Sequence, residues 1–188
     1  KDKISLFCNV NTKRIISALD AKTIYEVPLM YHNEGLDTEI LKYFNIKKTR
    51  KKFSLNKWKN IVNNFNNPSK LITIAIVGKY INLEDSYKSL VEAITHGGLA
   101  NNTKVIIKWI NAEDFEKNNN KIFDDINGIL VPGGFGERGI EGKIISIKFA
   151  RQNNIPFFGI CLGMQLAVIE FSRNVLKLKD SNSTEFGK

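Results

Sequence analysis

Residues 157–170, FFGICLGMQLAVIE, set one cysteine between an apolar run and a segment with helical periodicity. Within GICLG, Cys161 follows a predicted strand and precedes a predicted helix, a strand–turn–helix arrangement that can hold a nucleophile above a sheet. Glycines on both sides, Gly159 and Gly163, leave room for the sharp bend such a turn requires. The start of a helix suits a thiolate, because the unpaired N–H groups there carry partial positive charge. Free cysteines also serve commonly as small buried hydrophobes, so spacing alone leaves a nucleophile and a space-filling thiol equally open. A thiolate attacking a carboxamide needs a base, ordinarily a histidine oriented by an acid, to protonate the departing ammonia. The two histidines of the chain, His32 and His96, have no sequence context that places them beside Cys161. Either Cys161 is not catalytic, or its histidine comes from sequence after Lys188.

A second chemical candidate is VPGGFGERGIEG, residues 131–142. Gly133 and Gly134 can expose backbone N–H groups at the carboxyl edge of a sheet, where such donors stabilise an oxyanion on an attacked carbonyl. Their alternative is a tight turn that needs glycine for its backbone angles. GFGERG at 134–139 formally matches the dinucleotide fingerprint, but it falls in the third strand-to-helix turn of its region, whereas the fingerprint belongs in the first. The acid expected roughly 20 residues later is missing as well, since that neighbourhood reads NNIPFFG. VGKY at 77–80 lacks a complete phosphate loop, which leaves Lys79 as an ordinary surface lysine by that criterion.

The elements that must position these residues emerge from periodicity. From residue 71 onward LITIAIV, TKVIIKWI (103–110), GILVP (128–132) and IPFFGI (155–160) read as strands. Between and after them lie helix candidates: EDSYKSLVEAITHGG with a glycine stop after His96, a segment from about Glu141 to Gln152, and LGMQLAVIEFSRN. Apolar strands separated by helices predict an α/β fold with a mostly parallel open sheet and right-handed crossovers. The texture differs before Pro68. KISLFCNV is expected to be a strand, KTIYEVPLMYHNEG a strand or turn leading into a short helix, and GLDTEILKYFNI and FSLNKWKNIVNNF helices. These pieces contain no complete sheet and read as the end of a domain that begins earlier.

Composition narrows the function classes. With 188 residues, 43% of them hydrophobic, the chain can build one substantial core or a core plus an incomplete neighbour. No apolar stretch approaches the roughly 20 residues of a membrane helix, and the basic start is too brief for a secretory signal, so a cytoplasmic location is the default expectation. Cys8 and Cys161 lie too far apart for a close-spaced metal signature, and two cysteines do not make a disulfide scaffold. The net charge of +9 is uneven: residues 1–70 hold 14 Lys/Arg against 6 Asp/Glu, and the remainder 14 against 13. KKTRKK at 47–52 has no interleaved aromatics and no reading module, which favours a solvated face or linker over a nucleic-acid site.

PGGFG at 132–136 followed by GICLGMQ at 159–165 resembles the class I, triad-type glutamine amidotransferases. KISLFCNV, TIYEVPL, VGKY, HGGL, PGGFGERGIEG and NSTEF, in that order, resemble the CTP synthase family across essentially the whole chain. The resemblance implies a flavodoxin-like, incomplete glutamine amidotransferase domain over 71–188. Before it would come the end of an α/β synthetase domain over 1–50 and an interdomain linker with a short helix over 51–70. Such a family aminates UTP to CTP with ATP, Mg2+ and ammonia from glutamine, is activated by GTP, and assembles as a homotetramer. By the same resemblance, Cys161 forms a glutamyl thioester and the backbone of Gly134 and Leu162 makes the oxyanion hole. Gly133, Gln165 and Glu185 hold glutamine, while Phe135, Arg138, Gly139 and Glu141 belong to the region that responds to GTP. Lys3 and Phe7 match a segment near the UTP/CTP site, and Asp20 one near adenine. No metal site, nucleic acid or membrane partner is expected of these residues. Family members take their triad His and Glu from downstream sequence, so the isolated chain is expected to be a poor or inactive glutaminase. Another class I amidotransferase, a related cysteine peptidase, or a non-catalytic α/β interaction module are the competing readings.

Overall fold

A computed structural model of the chain describes residues 1–47, 54–79, 84–117, 120–134 and 136–186. They form two compact units, Lys1–Pro68 and Ser69–Lys188. Most of the basic run at 47–52 lies outside the described residues, as do Tyr80 of VGKY and Phe135.

In the first unit the described residues form helices α1 (Asp2–Cys8), α2 (Val27–Asn33), α3 (Leu36–Tyr43) and α4 (Asn56–Asn66), and no strand. The strand expected over KISLFCNV is therefore corrected to a helix. A lone extended segment would leave its backbone N–H and C=O groups without a neighbouring strand, whereas a helix satisfies them internally. Helix α1 ends where Asn9 turns left-handed at φ 50, and Ile4, Leu6 and Phe7 are exposed. The turn reading holds for TIYE: a short 3-10 turn at Ile24–Glu26 leads directly into α2. Helix α4 packs on that turn, with the Trp58 indole N–H donating to the Tyr25 carbonyl at 2.7 Å and the Tyr25 and Phe65 rings 5.4 Å apart.

The second unit contains β1 (Lys70–Gly78), α5 (Lys88–Ala100), β2 (Thr103–Asn111), β3 (Gly128–Val131), α6 (Ile140–Gln152), β4 (Phe157–Gly159) and α7 (Leu162–Asn174). All strand pairings are parallel, in the order β2-β1-β3-β4. This is the flavodoxin-like order, and its reversal between β1 and β3 opens a crevice at the carboxyl ends of those strands. Helices α6 and α7 pack together over the sheet, and Ala75, Val77, Ile129, Val131, Ile144, Leu162 and Leu166 share one core.

Glycines set how closely these layers approach. Contrary to the expected stop after His96, α5 runs on through Gly97 and Gly98 to Ala100. A Cβ on Gly98 would meet the Thr103 carbonyl oxygen at 2.6 Å, so the glycine serves close packing of α5 on the start of β2. Gly142 allows a similar approach of α6 to the Ala112 backbone, where a Cβ would lie 1.7 Å from the carbonyl oxygen.

Candidate active site

The short strand β4 delivers the chain to the carboxyl edge of the sheet, where the Ile160 N–H donates to the Val131 carbonyl at 3.0 Å. The next residue turns sharply: Cys161 sits at φ 50 and ψ −108 as the N-cap of α7. Such angles are costly for a residue with a Cβ and accumulate at functional turns. The turn is fixed by hydrogen bonds from the Gly163 N–H to the Ile160 carbonyl at 2.9 Å and from the Gln165 N–H to the Cys161 carbonyl at 3.1 Å. Both flanking glycines are sterically required. A Cβ on Gly159 would lie 2.5 Å from the Gly163 carbonyl carbon, and one on Gly163 would lie 2.1 Å from the Val131 carbonyl oxygen. The resulting thiol is exposed, which excludes the buried space-filling reading.

The glycine-rich loop lies alongside. A Cβ on Gly133 would stand 3.5 Å from that of Cys161, and one on Gly134 would stand 3.8 Å from the Leu162 Cδ2. Gly133, Gly134, Cys161 and Leu162 thus converge from two strand-to-helix turns. As the first residue of α7, Leu162 has a backbone N–H with no intrahelical acceptor. Gln165 is exposed one turn further along α7. Glu185 is exposed in a terminal turn where its N–H donates to the Ser183 hydroxyl at 3.2 Å. The neighbouring Phe186 packs against the core and anchors that turn.

Of the residues expected to respond to GTP, Arg138 and Glu141 have ionic partners. Arg138 forms an ion pair with Glu113, and Gly139 holds φ 77 at the start of α6. Glu141 accepts from Arg173 at 2.9 Å, and the same arginine donates to the Ser181 carbonyl at 2.7 Å. Arg173 thereby ties the start of α6 to the segment leading to Glu185. On the first unit, Lys3 and Phe7 are exposed on α1, and Asp20 is exposed in an irregular stretch.

No hydrogen bond joins Cys161 to a histidine among the described residues. His96 lies near the carboxyl end of α5, which leads into the start of β2. That end of the helix is at the opposite edge of the parallel sheet from Cys161. His32 belongs to the first unit and contacts Asp37 through Nδ1 at 2.8 Å. Among the described residues, no group of three or more His, Cys, Asp or Glu side chains could hold a metal ion.

Three side chains near the site carried no recognisable signal in sequence: Arg173, Glu113 and Lys143. Lys143 is only 2% exposed on α6. A Cβ on Gly134 would lie 3.6 Å from its Nζ. Desolvation, with repulsion from Lys79 second, holds this ammonium below the usual lysine range.

The class-I glutamine amidotransferase family model matches residues 82–185. The chain belongs to that family. Residues 1–46 match the model described as the CTP synthase N-terminus. Curated relatives of the chain include the CTP synthase of Novosphingobium aromaticivorans, 53% identical over 98% of the chain and 34% of the relative. The CTP synthase of Azospirillum brasilense is 52% identical over 100% of the chain and 35% of the relative. The chain therefore spans about a third of the length of the relatives it matches. Among solved structures, the Trypanosoma brucei CTPS glutaminase domain with bound acivicin is 43% identical with a TM-score of 0.57, over 61% of this chain and 45% of that one.

Proposed function

We propose that this chain carries the nucleophile half of the glutaminase centre of a CTP synthase. The supporting observation is Cys161, exposed at φ 50 between β4 and α7 with Gly133 against it. The Cys161 thiolate adds to the side-chain carbonyl carbon of glutamine, and the carbonyl electron pair moves onto oxygen. Backbone N–H groups of Gly134 and Leu162 receive that oxyanion. Collapse of the adduct breaks the C–N bond and leaves a glutamyl thioester, with the ammonia protonated by a histidine supplied from outside this chain. Water then hydrolyses the thioester to glutamate and restores the thiol. Gly133, Gln165 and Glu185 hold the glutamine, the last opposite its ammonium group. Arg138, Gly139 and Glu141, with Phe135, form the region through which GTP acts.

In this reading, residues 1–50 end the synthetase domain, 51–70 link the domains, and 71–188 begin the glutaminase domain. The parent enzyme, a homotetramer, uses the released ammonia to aminate UTP, activated by ATP with Mg2+. Lys3, Phe7 and Asp20 belong to its nucleotide side. The described residues offer no cluster suited to Mg2+. In the parent enzyme, Cys161→Ala should abolish glutamine-dependent CTP formation while leaving formation from added ammonium chloride. Loss of both activities in a folded variant, or of neither, would refute the assignment.

A further inference from the structure

Lys143 occupies a place that stability alone does not favour. It lies in the first turn of α6, where its backbone N–H donates to the Gly139 carbonyl at 3.1 Å. A cation there opposes the positive end of the helix dipole. Its side chain is 2% exposed, and burial of a charge without a counter-charge is unfavourable. Acids on α6 and on the elements packed against it are engaged elsewhere: Glu113 with Arg138, Glu141 with Arg173, and Glu170 with Arg151. Among the described residues, no carboxylate pairs with Lys143. The ammonium lies beside Gly134 instead, 3.6 Å from where a Cβ on that residue would lie, and that same position is 3.8 Å from Leu162 Cδ2. Gly134, one of the two residues whose N–H groups are proposed to receive the oxyanion, thus borders a buried cation, and Leu162 packs on the same glycine.

We propose that Lys143 is a positioning residue of the glutaminase centre, whose ammonium holds the Gly134 loop and adds positive potential where the oxyanion develops. The inference rests on the glutaminase reading above. A fixed positive charge behind backbone donors in a water-poor site favours the transition state, in which the oxygen is negative, over the neutral bound carboxamide. Its effect should consequently fall on kcat rather than on substrate affinity. In this role the side chain acts by supporting the loop and by its charge, not by direct contact with substrate.

The test compares wild type, K143M and C161A in the parent enzyme with its complete glutaminase domain, measuring ammonia release from glutamine and thermal unfolding. K143M keeps the length of the side chain and removes the charge. It should lower kcat about tenfold, less than the roughly 100-fold or greater loss on deleting a direct oxyanion donor. KM for glutamine should stay within about twofold, and the melting temperature should equal or exceed that of wild type. K143R, which keeps the charge, should retain more kcat than K143M. An unchanged kcat in K143M, a change confined to KM, or a K143M protein less stable than wild type would overturn the proposal, the last because it would make Lys143 a structural strut. C161A separates the two claims. Persistent hydrolysis in C161A would remove the glutaminase reading itself, whereas abolished hydrolysis in C161A with unaltered K143M kinetics would remove only the role of Lys143.

Discussion

At Cys161 the fold maintains a backbone geometry that glycine would adopt more easily, at a cost of about 1–3 kcal/mol. Replacing the residue separates that strain from chemistry. In denaturant titrations Cys161→Gly should be more stable than Cys161→Ala by about 1 kcal/mol, although both lack the thiol. Equal stability would mean that the turn stores no strain. Lys143 predicts a pH signature of the opposite kind to a salt bridge. Its folded pKa lies below the ordinary value of 10.5, lowered by desolvation and by Lys79. The destabilisation is therefore fully present below the folded value and is relieved as pH rises through it. Stability of wild type relative to K143M should climb through the alkaline range up to about the ordinary lysine value, and a flat difference would contradict the burial. The bend around Cys161 was legible in the sequence because Gly159 and Gly163 supply the room its close approaches require. The burial of Lys143 was not, since a lysine in EGKIISIKFARQ reads equally well as part of a solvated helix face.

The strand-to-helix turns depend on close approaches between neighbouring elements. Gly163 brings the first turn of α7 onto β3, and Gly163→Ala would force a Cβ to within 2.1 Å of the Val131 carbonyl oxygen. That substitution should cost about 3 kcal/mol or more, the upper range for overpacking, and should be read by calorimetry. A loss under about 1 kcal/mol would contradict the tight contact. Between α6 and α7, the Arg151 Nη2 donates to Glu170 at 2.8 Å and its Nε donates at 3.0 Å. Glu170 is 1% exposed, so Arg151→Ala leaves a buried carboxylate without its partner. The expected loss is about 2 kcal/mol, less than the ~3–5 kcal/mol of a fully buried pair, because the Arg151 side chain itself reaches solvent. Glu170→Leu together with Arg151→Met should recover most of that loss. The parallel sheet was legible because apolar runs separated by helical periodicity have few other solutions. KISLFCNV misled because a short apolar run fits strand and helix alike, and no partner strand stands beside it among the described residues of its unit. The glycines after His96 misled because close packing and helix termination call for the same residue.

An exposed cysteine at a strained turn is not yet a catalytic centre, and the difference shows only when the chain is taken entire. Among the described residues no histidine hydrogen-bonds Cys161, and exposed Met164, Val168 and Phe171 recur along α7, with Phe158 also exposed on β4. The 188-residue chain alone should release no ammonia from glutamine above a buffer control. It should nevertheless take up two carbamidomethyl groups from iodoacetamide, at exposed Cys8 and Cys161, and one in Cys161→Ala. Hydrolysis by the chain alone would require a base within it.

The nucleophile itself is identified by intact mass after the complete glutaminase domain has been exposed to a glutamine-like chloroketone. One adduct is expected, blocked by excess glutamine and lost in Cys161→Ala. A folded domain that forms no adduct, or keeps it in Cys161→Ala, would contradict Cys161 as the nucleophile.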